Sequence, residues 1–142
     1  VIVYAESSAV LSWLLGEPTG PAIRRVLEAA AFVVTSDLTL IECDRALHRA
    51  RSLGQLSAES FVELSSELRR VAAGWIRLRL SDEIVDRARG SFPEEPIRSL
   101  DALHLASALA TVALLPETAI LTLDGRVRRC GRGLGLTLLS AD

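Results

Sequence analysis

The sequence predicts an α/β domain: a central, mainly parallel sheet with helices on both faces. Three observations carry that expectation. Short β-rich runs alternate along the chain with segments of helical periodicity. Most of those runs are apolar throughout, as strands covered on both faces are. No repeat, linker or low-complexity stretch interrupts the alternation. The 142 residues fit one compact domain with a real core, and an apolar content of 49% excludes a disordered chain.

Val1 to Tyr4 reads as the first buried strand, with Glu6, Ser7 and Ser8 at its end. Ala9 to Leu15 is helical until Gly16 stops it, and Glu17 to Pro21 is a turn. The fixed φ of Pro21 opens a second helix, Ala22 to Ala31. Phe32 to Thr35 is another buried strand. Ser36 then caps a helix from Asp37 to Arg51, closed by Gly54. Ser57 caps Ala58 to Ala73, which ends at Gly74. From Trp75 to Leu80 apolar residues alternate with Arg77 and Arg79, the pattern of a strand with one solvated side. Ser81 caps Asp82 to Arg89, and a loop with two prolines runs from Gly90 to Pro96. Ile97 to Leu115 is apolar almost all round and is therefore a central, mostly buried helix. Pro116-Glu117 breaks it. Ala119 to Leu123 is a strand, Asp124-Gly125 a turn, Arg126 to Arg132 a short helix and Thr137 to Leu139 a last strand.

Composition excludes several chemistries. A net charge of -2 argues against general adhesion to nucleic acid or membranes. Lys is absent and Arg supplies the permanent positive charge; its fork of donors suits phosphate, while a GC-rich genome first, and selection for thermal stability second, are the ordinary readings of the bias. Without Lys there is no Schiff-base catalysis and no P-loop lysine. Cys43 and Cys130 form no CxxC pair, so a disulfide framework or zinc site is not expected and a reducing cytoplasm is. No secretory leader is recognisable, and Leu105 to Leu115 is too short to span a membrane. A chain starting at Val1 rather than Met points to a trimmed start.

The central helix carries one narrow polar stripe: Arg98, Asp101, His104 and Ser107, three residues apart. A carboxylate buried among Leu and Ala is costly unless paired or bound to a cation. Glu6 and Asp124 follow strands, where this architecture places its ligands, and Glu42 lies one turn inside the helix after the second strand. Each acid has an ordinary reading too. Asp101 suits a helix start, Asp124-Gly125 a turn, Glu42 a surface pair with Arg45 or Arg49, and Glu6 a helix cap. Convergence would separate the readings, because two carboxylates about 4 Å apart repel by about 4 kcal/mol at an effective dielectric near 20. A convergent cluster is then a site for a hard divalent cation.

Among the other polar residues, His104 reads first as structural and second as a substrate contact. Ser7 and Ser8 either position Glu6 or cap a helix. Arg126, Arg128, Arg129 and Arg132 either meet a phosphodiester backbone or form a solvated face. Asp37, Asp44, Asp82, Glu83 and Asp86 belong to helix starts and surfaces.

These residues form a familiar set. Tyr4-Ala5-Glu6-Ser7-Ser8-Ala9-Val10 resembles the D-[ST]-S-A-[LV] opening of PIN-domain ribonucleases, and Thr35 to Glu42 resembles their second motif. Arg98-Ser99-Leu100-Asp101-Ala102-Leu103-His104-Leu105-Ala106 is close to R-x-x-D-A-x-H-x-A, the most specific of the motifs. Leu121-Thr122-Leu123-Asp124 resembles the fourth. In order, spacing and size the whole chain looks like the VapC toxins of VapBC pairs. The resemblance implies a PIN-like three-layer α/β/α sandwich, one domain over residues 1–142. It implies a metal-dependent endoribonuclease using Mg²⁺ or Mn²⁺ on tRNA, rRNA or mRNA. A homodimer in a prokaryotic cytoplasm, silenced by a small VapB-type antitoxin, goes with it. Carried over by motif, Glu6, Glu42, Asp101 and Asp124 form the catalytic, metal-binding acids. Apart from the carry-over, Ser7, Ser8, Arg98, His104 and Thr122 are candidates to support them, and Arg126, Arg128 and Arg129 are candidates to meet RNA. One departure stands out: the family's first acid is usually Asp, and here it is Glu6, one methylene longer. The alternative reading is a catalytically weakened PIN-like module that acts by dimerising or binding a partner.

Overall fold

The computed structural model describes residues 1–140. Among the described residues, five parallel strands form one sheet in the order β3-β2-β1-β4-β5. They are β1 (Ile2–Ala5), β2 (Phe32–Ser36), β3 (Ile76–Leu78), β4 (Thr118–Leu121) and β5 (Thr137–Leu138). Between them run α1 (Ser7–Leu14), α2 (Gly20–Ala29), α3 (Asp37–Ser52), α4 (Ala58–Ala72), α5 (Asp82–Ala88), α6 (Ser99–Leu114) and α7 (Gly125–Gly133).

β1 is the middle strand, with Val3 opposite Val33 of β2 on one side and Ala119 of β4 on the other. Its side chains alternate between two cores, as a strand's period of two requires. Ile2 and Tyr4 face one core with Leu105, Ile120 and Val127. Val3 and Ala5 face the other with Ala9, Ile23, Leu68 and Leu121. All four are buried, so this strand is apolar without interruption. The result is the three-layer α/β/α sandwich expected. Among the described residues, no helix is long and apolar enough to cross a membrane.

Capping explains most boundaries. Ser36 accepts from Leu38 N at 3.0 Å, Ser57 from Ser60 N at 3.0 Å and Ser81 from Ile84 N at 3.3 Å, each satisfying an otherwise orphan donor. α1 starts at Ser7, two residues before the expected Ala9, because Glu6 itself is the N-cap. α6 starts at Ser99, so Arg98 is its N-cap and Ile97 lies outside the helix. The strand expected from Trp75 to Leu80 is confined to Ile76–Leu78. As an edge strand it has little to cover it: Ile76 is 45% exposed, and Arg77 leans on Asp37 at 2.8 Å. α1 and α2 approach closely at Gly20, where a Cβ would meet the Ser12 carbonyl oxygen at 2.9 Å.

Candidate active site

The carboxyl ends of β1 and β4 lie side by side, and the backbone continues that pairing: Glu6 N donates to Leu121 O at 3.0 Å. Two acids therefore leave the sheet at neighbouring points, Glu6 directly and Asp124 three residues beyond β4. Glu6 is only 4% exposed, and its charge is met by an unusual number of donors. Ser7 Oγ donates to its Oε1 at 2.8 Å. Its Oε2 accepts from Ser8 N at 3.1 Å, Thr122 Oγ1 at 2.7 Å and the Ser8 hydroxyl. Leu123 N in turn donates to Ser8 Oγ at 2.8 Å, and Asp124 N to Thr122 Oγ1 at 3.1 Å. Glu6 is thus a helix cap and a hub of the cluster at once.

Ser7 Oγ also lies 3.1 Å from Glu42 Oε1. A hydroxyl has one proton, so Ser7 serves one of the two carboxylates at a time and holds both within reach. The same Glu42 oxygen is 2.5 Å from His104 Nε2, which stands 3.8 Å from Glu6 Oε1. His104 Nδ1 is 3.2 Å from the hydroxyl of Tyr4. Burial pushes the Tyr4 hydroxyl well above its ordinary pKa, with the Glu6 and Glu42 charges adding to the effect, so it stays protonated. A neutral imidazole then has one consistent arrangement: Tyr4 donates to Nδ1, and Nε2–H donates to Glu42. Glu42 does not pair with Arg45 or Arg49; it turns inward to this relay.

Asp101 sits in the first turn of α6 and is buried. Burial raises its pKa, the Asp124 charge adds to that and Glu6 adds further, while Arg98 and His104 pull the other way. Asp101 therefore lies within electrostatic reach of Asp124 and Glu6. Among the described residues its Oδ2 is the one buried side-chain oxygen or nitrogen without a hydrogen-bond partner. Arg98 Nε, at 3.6 Å, is too far to hydrogen-bond to it. Asp124 Oδ1 caps α7, accepting from Arg126 N at 2.9 Å and Val127 N at 3.0 Å.

The four acids therefore share one neighbourhood, but their oxygens do not point at one centre. Among the described residues, no group of three or more His, Cys, Asp and Glu stands ready to hold a metal ion. Glu6 and Glu42 aim at serine and histidine donors, and Asp124 aims one oxygen at its own helix. The donor set nonetheless suits a hard cation: carboxylate oxygens, one of them orphaned and flanked by like charges.

Arg128 has a structural role within the chain. Its Nη1 donates to Thr122 O at 2.8 Å and Leu139 O at 2.9 Å, so it ties the end of β4 to the segment after β5. Sequence reasoning also missed Tyr4 as a member of the cluster. The available signal was a phenol, the chain's one Tyr, inside a run of Val, Ile and Ala.

A PIN domain family model matches residues 3–133. Ribonuclease VapC46 of Mycobacterium tuberculosis is 32% identical over 142 residues, covering 97% of this chain and 96% of the relative. Ribonuclease VapC35 of the same species is 28% identical over 141 residues, covering 98% and 96%. Among solved structures, a toxin-antitoxin complex from Klebsiella pneumoniae contains a chain of the same fold, with a TM-score of 0.66 and 15% identity. That match covers 99% of this chain and 98% of the other.

Proposed function

The chain belongs to the PIN-domain family, and on that premise we propose that it is a VapC-type endoribonuclease toxin, dependent on Mg²⁺ or Mn²⁺ and restrained by a small VapB-type antitoxin. The names of the two relatives support the ribonuclease activity, and the Klebsiella pneumoniae complex supports an antitoxin partner. A homodimer in a prokaryotic cytoplasm, acting on tRNA, rRNA or mRNA, completes the reading.

One observation carries the chemistry: the buried Oδ2 of Asp101 accepts no hydrogen bond, has only the long Arg98 ion pair at 3.6 Å, and lies within electrostatic reach of Asp124 and Glu6. Asp101 and Asp124 would hold the cation, with Glu6 and Glu42 completing the acidic shell directly or through water. When bound, the ion supplies Lewis acidity for water activation and for the charge that grows on the phosphoryl oxygens. The chain's own groups do the rest. Asp124, anchored by the first amides of α7, orients the attacking water. His104 fixes the Glu42 carboxylate through Nε2–H, and Ser7, Ser8 and Thr122 fix that of Glu6. These bonds set carboxylate orientation before any substrate arrives, which is what preorganisation requires.

The test is cleavage of total cellular RNA by the antitoxin-free protein. Fragments are expected with Mn²⁺ or Mg²⁺ and not with EDTA, and Asp101→Asn is expected to cut at least about a hundredfold more slowly. Absence of cleavage with either ion, or full activity in the variant, would replace this reading with that of a binding module.

A further inference from the structure

A polar cavity of about 440 Å³ lies between the 90–97 loop and α7. Arg98, Arg126 and Arg129 line it together with Glu94, Glu95 and Ile97. These charges are not equivalent. Glu95 is committed to its own loop, accepting from Phe92 N at 3.0 Å and Ile97 N at 2.8 Å. Arg126 and Arg129 are committed to nothing: among the described residues neither side chain makes a hydrogen bond or ion pair. Helix geometry explains why they differ from Arg128. Residues three apart share a face, so 126 and 129 look into the cavity while 128 turns to the Thr122 and Leu139 carbonyls.

Arg98 joins the two places, since it lines the cavity and its Nε stands 3.6 Å from Asp101 Oδ2. An RNA strand with one phosphate at Asp101 therefore passes Arg98 and meets two unpaired guanidiniums. Guanidinium forks match phosphate oxygens in geometry as well as charge. Glu94, on the same lining, disfavours phosphate at its own position and leaves the arginines as the anion's partners. We propose that this cavity is a phosphate subsite, in which Arg126 and Arg129 hold the RNA phosphodiester next to the one being cut. The inference rests on the ribonuclease reading above. An acidic protein segment is the weaker occupant, because only the RNA has to reach Asp101 in any case.

The test is binding of a fluorescein-labelled, mixed-sequence single-stranded oligoribonucleotide, read by anisotropy across a salt series in EDTA. The doubly substituted R126Q/R129Q protein is expected to bind about tenfold more weakly than the parent chain. Its slope of log K against log salt is expected to be shallower by about 0.7 for each phosphate that the variant leaves without an arginine. A charge-matched control, R24Q/R70Q, removes two exposed arginines that pair with Glu28 and Glu67 and is expected to bind as the parent does. An unchanged slope in R126Q/R129Q, an equal weakening in the control, no binding by the parent, or a defect confined to antitoxin binding would each overturn the subsite. The readout needs no cleavage. A parent that binds with the expected dependence but cuts nothing would count against the nuclease and not against the subsite.

Discussion

Glu6 and Asp101 are both buried carboxylates, yet they stand at opposite ends of one scale. Glu6 is surrounded by Ser7, Ser8 and Thr122 donors, whereas Asp101 Oδ2 has none. Glu6→Ala removes a helix cap and leaves buried hydroxyls short of an acceptor, so a destabilisation of about 2 kcal/mol is expected in urea unfolding. Asp101→Asn should do the reverse in metal-free protein, raising Tm by a few degrees even though it cuts at least about a hundredfold more slowly. The sign follows from linkage. Burial and the Asp124 charge raise the folded-state pKa of Asp101 above 3.8, so between 3.8 and the raised value the folded state binds more protons than the unfolded. The parent chain therefore loses stability as pH rises through that window, and Asp101→Asn does not; Tm against pH in EDTA checks both. At this scale the positions of the acids were legible, because each sits at a strand end or in the first turns of a helix, while their convergence was not. The Tyr4–His104–Glu42 relay was not: it joins residues from three elements, and a lone phenol in an apolar run does not say which partner it reaches.

The elements themselves were the most legible part. Ser36, Ser57 and Ser81 cap helices because a short hydroxyl competes for backbone amides, and that preference is local enough to read without a fold. Boundaries slipped where a residue had two roles. Glu6 reads as an acid of a site or as a helix cap; it is placed as both, and its service as the α1 cap moved that helix two residues earlier. β3 slipped for another reason, since alternation presumes a layer to cover the apolar side and an edge strand has little. Gly20 illustrates a constraint the sequence conceals within a turn signal. Gly20→Ala would put a Cβ 2.9 Å from a backbone oxygen of α1, and backbone cannot swing aside as a side chain does. A destabilisation of about 1–3 kcal/mol is expected in thermal or urea unfolding, with the metal requirement of cleavage unchanged.

For the whole molecule, strand order is the decisive fact. The alternation of strands and helices implied a parallel sheet, but not that β4 pairs with β1, because pairing across that distance depends on complementary faces rather than local preference. That adjacency brings Glu6 to Thr122 and Asp124, and α6, packed over the same sheet, brings Asp101 and His104. Four acids from four elements then share one neighbourhood, and in the function proposed a divalent cation offsets their repulsion. Calorimetric titration of Mn²⁺ into the antitoxin-free protein and into the Asp101→Asn, Asp124→Asn double variant measures that directly. Saturable binding to the parent chain and none to the variant is the expected outcome. No binding to the parent, or the same affinity in both, would contradict it.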